Sequence, residues 1–436
     1  MTRPLLIKGG RVIDPSSETD GISDLLVKDG LIAAISENIE CDEAIVSNAE
    51  GLWVVPGFID LRSHLREPGE EYKEDFSSGG KAAAAGGFTA VAVMARTSPI
   101  NDDPSVTHYI LERAREKSPV RILPIAAATR GLRGEVMTEM DALVRAGAVA
   151  VSDDNKTIND SGTMRRVLEY ATLVGIPVVV HAEDRTLVGA GTVHEGSVST
   201  RLGLTGSPAI AEASVIARDI MLASLTGAHV HVAHVSSSLG VDLIRNAKKN
   251  EIRITAEVTP HHLMLTDENC LEYDTNTKVL PPLRSFEDRA ALREGISDGT
   301  LDVIVTDHAP HADQEKETDF QSAPPGMIGL ETAFSVLTPL LDANIISPMD
   351  LFRRLSTEGA RILSIPGGTL AVGVSADLAV VAPQEKWRYE SSNGNSKSRN
   401  SPWSGQTLKG RVRKTMVSGK IVFDIDEGAS CSVVNK

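Results

Sequence analysis

The sequence has few of the features that mark several classes of protein. Its three cysteines, Cys41, Cys270 and Cys431, are too few and too widely spaced for a disulfide framework or a cysteine zinc site. Their odd number also argues against complete disulfide pairing and fits a reducing compartment. The N-terminal stretch MTRPLLIKGGRVID turns polar too soon for a signal peptide, so we expect a cytoplasmic protein.

A net positive charge and long apolar runs are also lacking. The net charge of −15 leaves no basic face to neutralise phosphates, which excludes nucleic acid and anionic membranes as expected partners. No apolar run approaches the roughly 20 residues that a membrane span requires. The composition is otherwise ordinary for a soluble enzyme.

Both ends of the chain show a pattern typical of antiparallel strands. Short apolar runs alternate with Gly and Asp turns in the first fifty residues, and the same style returns from Gly367 in ADLAVVAP and RKTMVSGKIVF. The first fifty residues do not make a complete domain. We therefore expect residues 1–55 and 365–436 to pair into one small β-sandwich domain. The segment WRYESSNGNSKSRNSPWSGQ is predicted to be a polar loop.

Between these ends, short β-branched runs are each followed by a helical stretch. There are eight such runs: VVPGFID, FTAVAVM, VRILPIA, AVAVSD, IPVVVHA, HVHVAHV, IRITAEV and LDVIVTD. Eight βα units within residues 56–364 predict an α/β fold, a TIM (β/α)8 barrel. A doubly wound sheet is the alternative, but the Gly-rich phosphate turn of that fold is missing.

Residues that can bind a metal follow five of the eight runs. Active sites of TIM barrels lie at the C-terminal ends of the strands, so these side chains should converge. They are His64, Asp153, Asp154, His181, His234, Asp307 and His308. Imidazoles and carboxylates at one barrel mouth suit zinc or a similar divalent ion. His231 has the opposite strand parity to His234, so we interpret it and His229 as packing or surface residues.

Motifs spread over nearly the whole chain form one ordered set. They are PGFID, HLREPG, EYKED, AAAAGGFTAV, VSDD, VVHAED, HVAHVS, AEVTPHH, PPLR, DGTLDVIVTDHAPH and PGMIGLET. In content and order this set resembles the class I dihydroorotases of the amidohydrolase superfamily. The resemblance implies a barrel with a flanking β domain and the reversible closure of N-carbamoyl-L-aspartate to dihydroorotate and water, a step of pyrimidine (UMP) biosynthesis. We also expect a homo-oligomer.

The resemblance further implies roles for individual residues. A first metal would be held by the residue at position 62, His64, Asp154 as a bridge, and Asp307. A second metal would be held by Asp154, His181 and His234. Asp307 would be the catalytic residue that carries the proton between the bridging water and the ring nitrogen. Substrate would contact His64, Arg66, the residues at 96 and 280, His311, Pro325 and Gly326.

Three of these positions depart from the family pattern, which has His at 62 and Asn at 96 and 280. The chain has Arg62, Arg96 and Leu280 instead. Arg62 is always protonated and offers no lone pair, so we expect a weakened first position and one zinc ion per chain, with two as the alternative. We also expect Arg62 to pair with Asp307, which would hold Asp307 ionised and make it a weaker base.

The other two departures affect the substrate pocket. The Arg96 guanidinium could clamp a substrate carboxylate together with Arg66, or it could pair with Asp102 or Asp103. Leu280 cannot donate a hydrogen bond to a polar ring, so it removes a contact.

These departures leave three functions open. The leading hypothesis is a zinc-dependent cyclic-amide hydrolase acting as a dihydroorotase, because the second ligand set and Asp307 are intact. The second is a non-catalytic scaffold for aspartate carbamoyltransferase, which Arg62 and Leu280 favour. The third is a hydantoinase-like activity on another cyclic ureide, in which Arg96 and Leu280 form a changed pocket.

Overall fold

The structure is a computed structural model that describes residues 3–427 of the 436-residue chain. Cys431 and the end of the predicted C-terminal segment, residues 428–436, lie outside the described residues. Cys41 is a half-buried free thiol and Cys270 a buried one. Within residues 3–427, no helix combines the length and the apolar character that crossing a membrane requires.

Five strands open the described chain and belong to one sheet. They are β1 (Leu5–Asp14), β2 (Thr19–Lys28), β3 (Leu31–Ser36), β4 (Ile45–Asn48) and β5 (Trp53–Pro56). Strand β1 pairs antiparallel with β2, which pairs with β3. Along its other edge β1 pairs in parallel, first with β4 and then with β5.

The middle of the chain forms the barrel, and its eight parallel strands coincide with the eight apolar runs of the sequence. In chain order the eight barrel strands are β6 (Phe58–Ser63), β7 (Phe88–Val93), β8 (Arg121–Ala126), β9 (Ala150–Ser152), β10 (Val178–Val180), β13 (Val230–Val232), β14 (Ile254–Val258) and β15 (Val303–Ile304). Between β10 and β13 the chain forms a separate two-stranded ribbon of β11 (Val193–His194) and β12 (Gly206–Ser207). The order in the barrel sheet is β15-β14-β13-β10-β9-β8-β7-β6. The predicted TIM barrel is confirmed.

A buried carboxylate helps to close the barrel between its first and last strands. The Asp60 side chain in β6 accepts hydrogen bonds from the backbone N (2.9 Å) and the hydroxyl of Thr306, just past β15. The backbone contributes a bridge between Ser63 and His308, beside which His64 N donates to His308 O at 2.8 Å. The closing seam therefore depends on a side chain as well as on the backbone.

Helices follow the barrel strands and cover them. In the described part of the chain they are α1 (Phe76–Ala85), α2 (Pro104–Lys117), α3 (Met140–Arg145), α4 (Ser161–Val174), α5 (Arg185–Val188), α6 (Ser197–Leu202), α7 (Ile210–Thr226), α8 (Ser238–Lys249), α9 (Pro260–Met264), α10 (Phe286–Asp298), α11 (Asp313–Lys316), α12 (Ala333–Asp342), α13 (Pro348–Phe352) and α14 (Glu358–Leu363). Local signals set their ends. Asp160, for example, caps α4 by accepting from Thr163 N, and Gly175 ends α4 with a φ of 82°.

The last strands return to the first sheet. They are β16 (Leu378–Arg388), β17 (Thr407–Val417) and β18 (Lys420–Asp424). Strand β16 pairs antiparallel with β5, with Leu378 opposite Pro56. Apolar side chains from both ends of the chain, such as Val12 and Leu378, share one core. The expected pairing of the two ends is therefore confirmed, while the exact limits at residues 55 and 365 stay a prediction.

The scarce aromatic residues concentrate where this sheet meets the barrel. Four of the eight phenylalanines, Phe58, Phe88, Phe334 and Phe352, pack together, and Phe58 lies 5.5 Å from Phe88 and 5.9 Å from Phe352 between ring centroids. Trp53 of β5 contacts Phe352 edge-on at 5.9 Å. Such contacts add to the apolar burial that joins the small sheet to the barrel.

Candidate active site

Three predicted metal ligands meet at the C-terminal ends of the barrel strands. Asp154 follows β9, His181 follows β10 and His234 follows β13, and one ligand atom of each lies within 4.8 Å of the others. His181 Nδ1 and His234 Nε2 are 3.0 Å apart, with the two rings nearly perpendicular. All three side chains are buried. In residues 3–427 this is the one group of this kind, so His64 and Asp307 do not complete a second.

The donor atoms of this group fit a divalent cation such as zinc. Burial and the charge of Arg62 lower the pKa of His234 well below its usual value, which favours a neutral imidazole. Asp154 Oδ2 is buried and accepts no hydrogen bond from the described residues, and His64 Nε2 lies 3.4 Å from it. A buried carboxylate oxygen without a donor, beside two imidazole nitrogens, matches the ligand preference of zinc.

Arg62 lies beside this group and is paired with two carboxylates. Its Nη1 donates to Asp154 Oδ1 and its Nε to Glu257 Oε1, and the side chain is only 1% exposed. The expected pair with Asp307 is therefore wrong. The reason is that Glu257 points from β14 into the barrel interior, where a buried carboxylate is costly without a cation.

Glu257 connects Arg62 to two histidines of β13 and the segment after it. Its Oε2 accepts from His231 Nε2 at 2.9 Å, and its Oε1 accepts from the backbone N of His234 at 3.2 Å. Burial raises the pKa of Glu257, but the charge of Arg62 and the bond from His231 outweigh this and hold the pKa below its usual value. Glu257 therefore remains ionised, and it holds both the Arg62 side chain and the segment that carries His234.

The strand-parity argument that turned His231 away from the barrel interior is wrong, while its interpretation as a packing residue fits its burial. His231 is fully buried and bonds Glu257, while its Nδ1 lies 2.8 Å from Thr255 Oγ1. Strand parity failed because β13 ends at Val232, and His234 has a φ of 32°, outside the extended region. His229 is half-buried and also contacts Thr255, at 2.8 Å, as a packing residue would.

Sequence reasoning missed Glu257 altogether. The signal was present, because an acid in the otherwise apolar strand ITAEV has no place in an apolar core unless a cation pairs with it.

Asp307 lies in the same buried region and differs from expectation in its ionisation. Burial raises its pKa well above the usual value; Arg62 opposes this, and the charges of Asp154 and Glu257 add to it. Asp307 in the protein alone therefore favours the protonated form. The prediction that Arg62 would keep it ionised is wrong, because Asp154 and Glu257 already neutralise Arg62.

Most of the predicted substrate residues lie next to one another, and we call this group the substrate wall. Arg66 donates from Nε to Pro310 O (3.1 Å), and its Nη2 lies 3.5 Å from His311 Nε2, which in turn lies 3.0 Å from Pro325 O. Gly326 N donates to Lys278 O at 2.8 Å. Leu280 and Pro325 share an open cleft with Glu183, Arg185 and Lys278.

Arg96 is exposed and lies next to the ligand group. Its Nη1 donates to Asn155 Oδ1 at 3.1 Å. The alternative pairing is wrong in the described chain, because Asp102 accepts from Gly131 N and Asp103 caps α2. The guanidinium therefore remains near the barrel mouth.

A barrel with oxygen and nitrogen donors grouped at its mouth is the arrangement of metal-dependent hydrolases of the β/α-barrel class. A family model described as dihydro-orotase-like matches residues 51–239. Over 424 residues the chain is 48% identical to the dihydroorotase of Syntrophus aciditrophicus strain SB, with 97% of this chain and 100% of the relative covered. The chain belongs to the dihydroorotase family of amidohydrolases.

Other relatives agree with this assignment. The dihydroorotase of Anaeromyxobacter dehalogenans strain 2CP-1 is 47% identical, covering 98% of this chain and 99% of the relative. Among solved structures, the L-hydantoinase (dihydropyrimidinase) from Arthrobacter aurescens has a TM-score of 0.88 at 25% identity, covering 97% of this chain and 96% of that one. The resemblance seen in the sequence motifs is thus confirmed.

Proposed function

We propose that this chain is a dihydroorotase with one zinc ion, which interconverts N-carbamoyl-L-aspartate and dihydroorotate. The observation that carries the proposal is the buried group of Asp154, His181 and His234, with its unpartnered carboxylate oxygen. A zinc ion held there would supply a water nucleophile at neutral pH.

Asp307 is the proposed proton carrier. In ring opening, water adds to the ring carbonyl, the bond from carbon to the ring nitrogen breaks, and the nitrogen takes a proton. Asp307 accepts the proton from water and returns it to the nitrogen. Burial raises its pKa above the usual value of a carboxyl group, which favours its holding the proton between the two steps.

Arg62 is the proposed replacement for the first metal. It supplies a fixed positive charge to the carbonyl oxygen as negative charge develops there. Its buried Nη2 supports this role, because it has no hydrogen-bond partner among the described residues while Nε and Nη1 are both paired.

The substrate carboxylate and ring are bound by the wall described above. Arg66 and Arg96 grip the carboxylate, and His64, His311 and the Pro325-Gly326 backbone contact the ring. Leu280 contributes an apolar surface to the cleft. We further propose a cytoplasmic homo-oligomer.

A non-catalytic scaffold for aspartate carbamoyltransferase is the alternative. The observation that favours it is that Arg62 occupies one oxygen of Asp154, a proposed metal ligand. A hydantoinase-like activity on another cyclic ureide is the third candidate, favoured by Leu280 in the cleft.

Metal analysis and a dihydroorotate hydrolysis assay on Arg62→His separate these functions. We expect slow but measurable turnover by the parent with one ion per chain, and in the variant a second ion with turnover changed within about tenfold, because one electrophile replaces another. Absence of turnover in the metal-loaded parent, with its appearance in Arg62→His or in the triple variant with Asn at 96 and 280, would establish the scaffold. Turnover of hydantoin alone would establish the third candidate.

A further inference from the structure

One part of the predicted polar loop between β16 and β17 is buried in alternate residues at the barrel mouth. Ser396, Ser398 and Asn400 are buried, while Lys397 and Arg399 between them are exposed. This alternation is that of an extended segment with one face turned inward. We call residues 396–400 the strap.

The strap is tied to the barrel by side-chain hydrogen bonds. Ser396 Oγ donates to Glu74, and Ser398 Oγ donates to Lys73 O at 2.8 Å. These bonds attach the strap to the segment that precedes α1. A segment of the small β domain therefore reaches the mouth of the barrel.

Asn400 uses every polar atom of its side chain on backbone groups beside the substrate wall. Its Nδ2 donates to Ala309 O and to Gly326 O, both at 3.0 Å, and its Oδ1 accepts from His311 N at 3.1 Å. Its backbone O accepts from Ile328 N at 3.0 Å. One amide thus joins the segment after β15 to the segment around Gly326.

The segments around Ala309 and Gly326 are packed so closely that there is little room for a different arrangement. Gly326 has a φ of 135°, and a Cβ added there would lie 2.7 Å from Ala309 Cβ. An amide provides two donors and an acceptor in one plane, whereas a carboxylate provides acceptors only. Loss of the amide would leave the carbonyl of Ala309 and the N–H of His311 without a partner among the described residues, which is costly. Gly326 O, by contrast, keeps a bond from Lys316 Nζ at 3.1 Å.

We infer that Asn400 is a positioning residue for substrate binding, which sets the spacing of His311 and Gly326 from the small β domain. The inference rests on the proposed function, since it assigns those two residues to the substrate. Asn400 is bonded to none of Asp154, His181, His234 and Asp307 in the described structure. Its effect should therefore fall on substrate affinity rather than on metal content.

Asn400→Ala and Asn400→Asp test this inference in the full-length, metal-loaded protein. Asp keeps the shape and the acceptor for His311 N but removes both donors, so it serves if the Ala variant does not fold. We expect KM for dihydroorotate and Kd for N-carbamoyl-L-aspartate, the latter from titration calorimetry, to rise at least about tenfold. The turnover number should stay within about threefold, with the zinc content unchanged.

Asn395→Ala is the matched control, since it removes the same amide from the same loop. Asn395 Nδ2 donates to Glu331 Oε2 at 3.1 Å, away from His311 and Gly326. Its KM and Kd should equal those of the parent. If KM and Kd of the Asn400 variants equal those of the parent and only the melting temperature falls, the inference is overturned while the proposed function stands. A parent that neither binds nor turns over these compounds would overturn both.

Discussion

Asp154 belongs to both sides of the site, but only one of its two oxygens is bonded by a positively charged side chain. On one side, Asp154 is grouped with His181 and His234, and its Oδ2 has no donor from the described residues. On the other, Asp154 Oδ1 is bonded by Arg62, whose second partner is Glu257. In the proposed function, the first side takes a cation from solution, whereas the second carries its cation in the chain.

Breaking the ligand side should have the largest effect. We expect His181→Ala to lose the ion and to lower turnover at least about 1000-fold, which corresponds to roughly 4 kcal/mol in the activation barrier. Elemental analysis and the dihydroorotate assay measure this. The fold should stay cooperative, because the barrel core does not depend on the ion. His229→Ala is the control, a histidine just before β13 and outside the ligand group, and should keep both ion and activity. Retention of the ion by His181→Ala would contradict the ligand assignment.

Breaking the Arg62 side should lower stability rather than metal content. Glu257→Gln removes one charge of a buried ion pair, so the free energy of unfolding should fall by about 3–5 kcal/mol in chemical denaturation. Glu385→Gln is matched to it, since Glu385 also contacts two basic side chains, Arg411 and Arg413, but is 26% exposed. It should cost no more than about 1 kcal/mol. Equal losses in the two variants would show that Glu257 is not an essential partner of Arg62.

A buried acid outside the site, whose pairing is incomplete, should give the smallest change in stability. Asp219 in α7 pairs through Oδ1 with Arg218, but its Oδ2 has no partner in the described chain, and burial raises its pKa to about 6. The folded state then binds more protons than the unfolded state between about pH 4 and 6, so stability falls as pH rises through this window.

Asp219→Asn should remove that part of the pH dependence. The parent should lose about 2–3 kcal/mol from this group between pH 4 and 7, since each pKa unit corresponds to about 1.4 kcal/mol. Urea denaturation of parent and variant at the two pH values isolates the difference. If the free energy of unfolding depends on pH in the same way in the parent and in Asp219→Asn, then Arg218 fully offsets the effect of burial on the pKa of Asp219.

Much of this architecture could be predicted, because its signals are local. All eight barrel strands are β-branched runs, and Asp154, His181 and His234 follow strand ends that a barrel brings together. The partner of Arg62 could not be predicted in this way. It depends on which side chains face each other across the barrel, and Glu257 lies far from Arg62 in sequence.

Two further misses have related causes. Strand parity misplaced His231 because the chain leaves the extended conformation before His234. The role of Asn400 was hidden because a polar loop and a buried strap have the same composition. The difference lies in the alternation of buried and exposed residues and in the backbone groups of Ala309 and Gly326 that Asn400 bonds.

The pairing of β5 with β16 has a consequence for biosynthesis. The first five strands leave the ribosome long before β16, so their sheet lacks its central neighbour while the whole barrel is being made. An unpaired strand edge is a site for aggregation until its partner arrives. A stalled or truncated chain would expose β5 together with Trp53, whereas a complete chain covers both in one step. Pairing of β16 with β5 therefore removes this strand edge only after the whole barrel has been synthesised.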